Sequence, residues 1–294
     1  MLSPSAINTF IACPMQFYLN NVLRIRREDD AEDGISADII GNIFHDTAEF
    51  FYEWLQHRYR TSTITADMLK DRRELPLMLH TVFDVCWFHP TDDFDRLPLI
   101  RQRFPKAKEI AAQNTYKGTA LIAHDVLLRY LQSLIRYDAS HAPFRIIGAE
   151  EERTIEFKIQ NSKFKVGGRI DRIDEMDGRL RIVDYKTGTH ESPRYQMQIF
   201  LYALAEMEKG ESTLPIQPVL FFPIKAAAND YDPSIVINKE IINDFANQHT
   251  ETFREQLLEI LSDIFNPDKP FTCTTDAKVC EYCKLGLICG KSGS

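Results

Sequence analysis

Asp171, Asp184 and Lys186 are the residues whose types and spacing first suggest chemistry. Asp177-Gly178 separates two runs of alternating apolar and polar side chains. Asp-Gly is a strong two-residue hairpin signal, because both central positions of a type I′ turn need φ > 0. With those residues as the loop, Met176 faces Arg179, opposed residues sum to 355, and Asp171 stands directly opposite Asp184. Opposed residues on one sheet face have Cβ atoms about 4.5–5.5 Å apart. Two carboxylates at that range repel unless a cation lies between them, and hard oxygen ligands suit Mg²⁺ or Mn²⁺. Lys186, two residues beyond Asp184, falls on the same face. A divalent ion beside an ammonium can activate water and stabilise charge developing on a phosphate. The plain alternative is a solvent-facing hairpin with scattered charges. Ile173 opposite Ile182 argues instead that this face is buried, and buried like charges need a partner.

The second constellation is sulfur. The six cysteines are Cys13, Cys86, Cys273, Cys280, Cys283 and Cys289. Cys280-x2-Cys283-x5-Cys289 is a tight thiolate cluster that needs a fourth ligand to close a tetrahedral or cubane site, and Cys273 could supply it locally. Thiolates suit both Zn²⁺ and an iron–sulfur cluster, so coordination chemistry alone leaves the two open. Cys86, among Val82, Phe83, Val85 and Trp87, reads as a small core residue.

These residues need elements to position them. Ser3-Pro4 reads as an N-cap followed by Pro at the first helical position, with Ile7, Phe10 and Ile11 as the apolar stripe behind it. Residues 24–36 look like a solvated charged loop. From Ile39 to Leu55 the positions Ile40, Ile43, Phe44, Thr47, Phe51, Trp54 and Leu55 follow a helical period. Two or three further helices are expected between 60 and 140, the clearest over Leu121–Tyr137, with proline and charge clusters breaking the stretch at 89–106. The period then changes to two. Strands are predicted over 145–159, 163–176 and 179–186, linked by Asn161-Ser162 and Asp177-Gly178. A helix over 194–209 carries Met197, Phe200, Leu201, Leu204 and Met207 as its core stripe. A buried strand over Pro218–Ile224, a long acidic helix over 239–265 and a cysteine-bearing loop complete the chain. The economical reading is one α/β domain over 1–294 with a helical insertion at 60–140 and a C-terminal staple at 270–294.

Length and composition bound the class. With 294 residues, 44% apolar and 27% charged, the chain is that of an ordinary globular protein and not a disordered, collagen-like or coiled-coil one. No apolar run approaches the ~18 residues a membrane helix needs. The start Met1-Leu2-Ser3-Pro4 has neither the basic nor the apolar region of a signal peptide, so a cytoplasmic protein without membrane contact is expected, and disulfides are not. The net charge of −8 counts against a nucleic-acid binder. However, residues 226–268 carry nine acidic and two basic side chains, which is −7 of that total, whereas 145–186 carry ten basic and nine acidic. The acidity is thus expected mainly on the C-terminal helix.

Gly168-Arg169-Ile170-Asp171-Arg172-Ile173-Asp174 followed by Asp184-Tyr185-Lys186-Thr187-Gly188 resembles the core of the PD-(D/E)XK nucleases of the RecB and AddB type. The family's downstream Gln-x-x-x-Tyr is matched by Gln198 to Tyr202, which share a helix face at i,i+4. Its upstream helical Gly-x-x-x-His is matched by Gly41 to His45. The resemblance implies a restriction-endonuclease-like α/β core, a central mixed sheet flanked by helices. It further implies a Mg²⁺ or Mn²⁺ site made by His45, Asp171, Asp184 and the Tyr185 carbonyl. Lys186 would orient or activate the attacking water, and Gln198 and Tyr202 would position the strand and the catalytic groups. A Glu on the preceding strand often assists. With Asn161-Ser162 as a two-residue loop, opposed residues sum to 323 and Glu152 faces Asp171, with Glu150 and Glu151 as close rivals. The same family resemblance implies a [4Fe–4S] cluster held by one N-terminal and three C-terminal cysteines, here Cys13, Cys280, Cys283 and Cys289, with Zn²⁺ the alternative and Cys86 and Cys273 spare. Such a staple would tie the ends of the chain together, an effect worth roughly 4–5 kcal/mol by analogy with a disulfide.

The implied function is a metal-dependent deoxyribonuclease, expected to be an exonuclease acting on DNA ends in double-strand break repair. It would work beside a helicase partner or a helicase-like remainder of a longer chain. The sequence has no Gly-x-x-x-x-Gly-Lys-Ser/Thr loop and so no ATP-driven motor of its own. A CRISPR-associated RecB-like nuclease and a catalytically silent DNA-binding module of a helicase complex are the alternatives.

Overall fold

The computed structural model describes residues 1–25, 34–91, 95–159, 162–228, 230–281, 283–286 and 288–290. Most of the charged stretch at 24–36, and Asn161 of the expected second turn, lie outside the described residues.

The chain opens with α1 (Pro4–Ala12) and α2 (Pro14–Phe17). The Ser3 hydroxyl caps α1 by accepting from the Ala6 N–H at 3.2 Å. Ile7 is fully buried there, whereas Ile11, expected in the same stripe, is 53% exposed. The long helix α3 (Ala37–Tyr59) follows. After a two-residue strand β1 (Thr63–Ile64) come four helices: α4 (Leu75–Phe83), α5 (Leu97–Arg103), α6 (Ala107–Gln113) and α7 (Gly118–His141). Among the described residues that is more than the two or three expected between 60 and 140. Pro98, in the stretch read as a breaker, starts a helix instead: it opens α5, as Pro76 opens α4, where a missing N–H costs nothing.

Strands β2 (Phe144–Ile159), β3 (Ser162–Met176) and β4 (Arg179–Tyr185) form an antiparallel meander. Helix α8 (Pro193–Lys209) then crosses over to β5 (Ile216–Phe221), which lies parallel to β4. The sheet order is β1-β2-β3-β4-β5. The long C-terminal helix of the sequence reading is corrected. Asn238 and Lys239 take positive φ values of 51° and 71° and close a small hairpin of β6 (Val236–Ile237) and β7 (Glu240–Ile241). Asp244 caps α9 (Phe245–Gln248), and α10 (Thr250–Ile264) follows, so the acidic stretch is only partly helical. A final short helix, α11 (Ala277–Glu281), carries Cys280.

Alternation along the central strands divides the core between the two sheet faces. Val183, Tyr185, Val219 and Phe221 join a cluster built with α3, α4 and α7. Leu180, Ile182, Ile216 and Leu220 join another built with α1, α8 and α10. Among the described residues of 60–140, Met78, Leu79 and Val82 belong to the cluster that holds Ile43 and Phe44 of α3. A mixed sheet flanked by helices in this way is the restriction-endonuclease-like α/β arrangement expected from the sequence.

Candidate active site

The β3–β4 register is the predicted one. Met176 pairs with Arg179, Ile173 with Ile182 and Arg172 with Val183, and Asp177 and Gly178 take φ values of 52° and 71°. Asp171 and Asp184 occupy the next position of that register. Ile173 and Ile182 are fully buried and Asp184 is 1% exposed, so this face is interior. Asp171 is fastened at both oxygens. Its Oδ2 accepts from the Tyr185 N–H at 2.5 Å, and its Oδ1 lies 3.2 Å from His45 Nδ1 on α3. The motif glycine Gly41, one turn before His45, lies against Thr187 of the segment after β4, which is how α3 reaches the site.

The β2–β3 register departs from expectation. Ile159 pairs with Ser162 and Glu152 with Arg169, so opposed residues sum to 321 and not 323. Residues 160–161, between Ile159 and Ser162, lie outside the described residues. Glu152 therefore stands two positions from Asp171, exposed, and Glu150 takes the place opposite it. Glu150 has a φ of 49°, close to a register shift between Ile146 and Gly148; irregular strand backbone of this kind re-aims a side chain. Its Oε1 is 3.6 Å from His45 Nδ1. Among the described residues, His45, Glu150 and Asp171 form one group whose ligand atoms all lie within 4.8 Å of one another.

Asp184 stands beside that trio, held by helix α8. Lys186 Nζ is 2.6 Å from Asp184 Oδ2, and Gln198 Nε2 donates to Asp184 Oδ1 at 3.0 Å. Gln198 Oε1 accepts from Lys186 at 3.0 Å, and its Nε2 also donates to the Tyr202 hydroxyl at 3.1 Å. One amide thus ties the carboxylate, the ammonium and the tyrosine into a single unit. Gly168 of the sequence motif is required by this packing: a Cβ there would come within 2.9 Å of the Tyr202 hydroxyl.

The electrostatics are those of acids crowded together. Burial pushes the Asp184 carboxyl up to about 6, with Lys186 opposing and Asp171 adding to the rise. Burial and the Asp171 charge raise Glu150 as well, against the pull of His45. Burial works against a charged His45, but Asp171 and Glu150 outweigh it and hold the imidazole well above its ordinary pKa. Two neighbours were missed by the sequence reading. Glu49, one helical turn beyond His45, is pushed to about 8 by burial and by the charges of Glu150 and Asp46. Arg169, two residues before Asp171, brings a guanidinium to 3.8 Å from Glu150. Their spacings, i+4 on a helix and i−2 on a strand, were the available signals. Converging carboxylates with one imidazole, some raised by burial and by one another, fit a hard divalent cation.

The cysteines gather elsewhere. Cys13, Cys280, Cys283 and Cys289 line one cavity, and Cys273, left out of the expected set, lines it too. The two ends of the chain meet there: the Met15 N–H donates to the Thr272 carbonyl at 3.0 Å, and the Thr274 N–H to Cys13 Sγ at 3.5 Å. Burial and then the adjacent Cys273 push the Cys289 thiol up to about 11. Five thiols around one cavity fit a thiolate-bound group. Cys86 is buried apart from them, its thiol 3.4 Å from Asp46 Oδ2.

Comparison with known proteins agrees with this geometry. Over 266 residues the chain is 25% identical to a subunit of an ATP-dependent helicase/deoxyribonuclease from Symbiobacterium thermophilum, covering 81% of this chain and 20% of that protein. The protein of the same name from Carboxydothermus hydrogenoformans is 26% identical over 204 residues, covering 64% of this chain and 16% of its own length. The chain thus spans about a fifth or less of these relatives. The crystal structure of SSO0001 matches 83% of the chain at 13% identity, and its TM-score of 0.33 is too low to bear on fold or site. No helix among the described residues is long and apolar enough to cross a membrane. The profile of the PD-(D/E)XK nuclease superfamily matches residues 1–290, and the chain belongs to that superfamily.

Proposed function

We propose that this chain is a Mg²⁺- or Mn²⁺-dependent deoxyribonuclease that hydrolyses phosphodiesters at DNA ends, working beside a helicase. The observation that carries the reading is the convergence of His45, Glu150 and Asp171 on one point, with Asp184 opposite Asp171 and Lys186 beside it. His45, Asp171, Asp184 and the Tyr185 carbonyl would hold the ion, and Glu150 takes the assisting role expected of Glu152. A divalent ion bound there supplies Lewis acidity and a water of lowered pKa. Lys186, held on Asp184 and Gln198, orients the attacking water and offers positive charge to the phosphate. Gln198 fixes the direction of both the ammonium and the carboxylate, and Tyr202 fixes Gln198. The helicase partner, or a helicase-like remainder of a longer chain, rests on the names of the two relatives and on the fraction of their length covered here.

In the same reading residues 60–140 are an insertion in one nuclease domain, and 270–294 close it as a staple. Cys13, Cys280, Cys283 and Cys289 hold a [4Fe–4S] cluster there. Zn²⁺ at the same thiols is the alternative.

The test is cleavage of end-labelled linear DNA with Mg²⁺ or Mn²⁺, beside Lys186→Ala and a circular single-stranded substrate. Loss of linear DNA that vanishes in the variant supports the nuclease. Survival of the circle supports the end requirement. No cleavage by the native chain overturns the reading. Iron bound by the native chain and lost in Cys289→Ala supports the cluster, and unchanged iron in that variant overturns it.

A further inference from the structure

Lys186 has a third neighbour that neither the motif nor the chemistry above accounts for. Its Nζ lies over the ring of Tyr195, 4.7 Å from the centroid. Tyr195 is in the first turn of α8, three residues before Gln198 and seven before Tyr202, so all three share one helix face. The ring also neighbours Phe222, with centroids 6.3 Å apart, and Phe222 in turn carries Lys225 Nζ 4.6 Å from its own centroid.

We propose that Tyr195 is a positioning residue of the nuclease site, whose π-face confines the Lys186 ammonium to the place where it meets the water and the phosphate. This deepens the nuclease reading and rests on it. The ammonium has three donors; one points to Asp184, one to Gln198, and the third side of the group meets the ring. A π-face attracts the cation without demanding a proton in one direction, so the ammonium can rotate a donor toward substrate while the ring keeps it in place. Without the ring, the flexible four-carbon stem regains freedom on the open side of the site.

The experiment uses the full chain labelled with ¹³C at lysine, and DNA cleavage with Mg²⁺. The Tyr195 ring current is expected to move the Lys186 ε-methylene protons upfield of the other lysines, the signal being assigned by its loss in Lys186→Arg. Tyr195→Phe keeps that shift and keeps kcat within about twofold, because the ring and not the hydroxyl makes the contact. Tyr195→Leu abolishes the shift and lowers kcat about tenfold with KM unchanged, the size of a partly desolvated cation–π contact. Should Tyr195→Leu unfold, Tyr195→Met gives the same two readouts with a flexible side chain. An unshifted Lys186 signal in the native chain, native kcat in Tyr195→Leu, or equal damage from Tyr195→Phe overturns the proposal. A shift that is present and ring-dependent in a chain that cuts no DNA leaves the contact standing and removes the nuclease reading instead.

Discussion

Asp171 and Arg172 are neighbours in the chain, yet they belong to two charge clusters of opposite design. Strand alternation sends them to opposite faces of the β3–β4 hairpin. On the face toward α3 and α7, Arg172 binds both oxygens of Asp138 at 2.7 and 3.2 Å and lies 2.8 Å from Asp174. Arg181 binds both oxygens of Asp174 at 2.6 and 2.7 Å. Tyr52 donates to Asp138, and the rings of Tyr52, Phe144 and Tyr185 surround the Arg172 guanidinium. Two cations meet two anions, all buried. On the other face Glu150, Asp171 and Asp184 meet the single ammonium of Lys186, with His45 between them. The first cluster is neutral, with each charge fixed in an ion pair; the second converges three carboxylates and an imidazole on one place, with Lys186 held on Asp184 and Arg169 at the margin beside Glu150. A paired network fastens helices to a sheet, whereas converging carboxylate oxygens and an imidazole nitrogen are the ligand set of one divalent ion.

The difference is broken most sharply at the hairpin itself. Asp171→Asn should leave the fold intact, since it relieves repulsion, but lower cleavage roughly a thousandfold, about 4 kcal/mol of barrier. Single-turnover rates with Mg²⁺ measure the loss, and a urea melt at least as stable as the native one confirms the cause. The neighbouring Arg172→Met should do the reverse in kind. It leaves Asp138 buried beside Tyr52 alone and should cost about 3–5 kcal/mol of stability, read from the urea midpoint. Adding Asp138→Leu should recover most of that loss, because a balanced buried network can be exchanged for apolar packing. No such exchange is expected to rescue the Asp171 site.

A divalent ion sharpens the comparison. Mg²⁺ or Mn²⁺ at a hundred times its dissociation constant should stabilise the native chain by about 2.7 kcal/mol. The rise in thermal midpoint should be absent from Asp171→Asn and intact in Tyr195→Phe. Equal stabilisation of Asp171→Asn would place the ion elsewhere.

How much of this was legible depended on turn chemistry more than on hydrophobic pattern. The β3–β4 register followed from Asp177-Gly178 alone, because only positive φ at both positions closes that hairpin. The β2–β3 register did not follow. Opposed residues that sum to 321 in place of 323 slide the strands by two residues and keep every side chain on its own face, so alternation cannot detect it. Glu152 and Glu150 are the same parity and read alike; the left-handed backbone at Glu150 is set by tertiary packing. The acidic stretch before α9 misled for a related reason. Its composition is helical, but Asn238 and Lys239 take the positive φ of a hairpin. The neutral network escaped notice because Asp138 lies on α7, far in sequence from Arg172. The family motifs, by contrast, are local and ordered, and His45, Asp171, Asp184, Lys186, Gln198 and Tyr202 all meet within one site.

The smallest effect lies at the margin of the charged site, and its sign distinguishes crowding from pairing. Glu49 makes no part of the neutral network; its carboxyl is raised from 4.5 to about 8 by burial and by its acidic neighbours Glu150 and Asp46. A folded-state pKa above the unfolded one means the folded chain holds its proton longer. The stability so conferred is fully present below about 4.5 and is lost as pH rises toward about 8. Thermal midpoints of the metal-free chain should therefore decline across that window. Glu49→Gln, which cannot ionise, should flatten the decline and melt a few degrees higher at the alkaline end. A paired carboxylate has a lowered pKa and gains its stability below about 4.5, so a profile flat across this window, with a rise toward pH 4.5 that Glu49→Gln removes, would show Glu49 bound to a cation of the protein and not crowded by its acids.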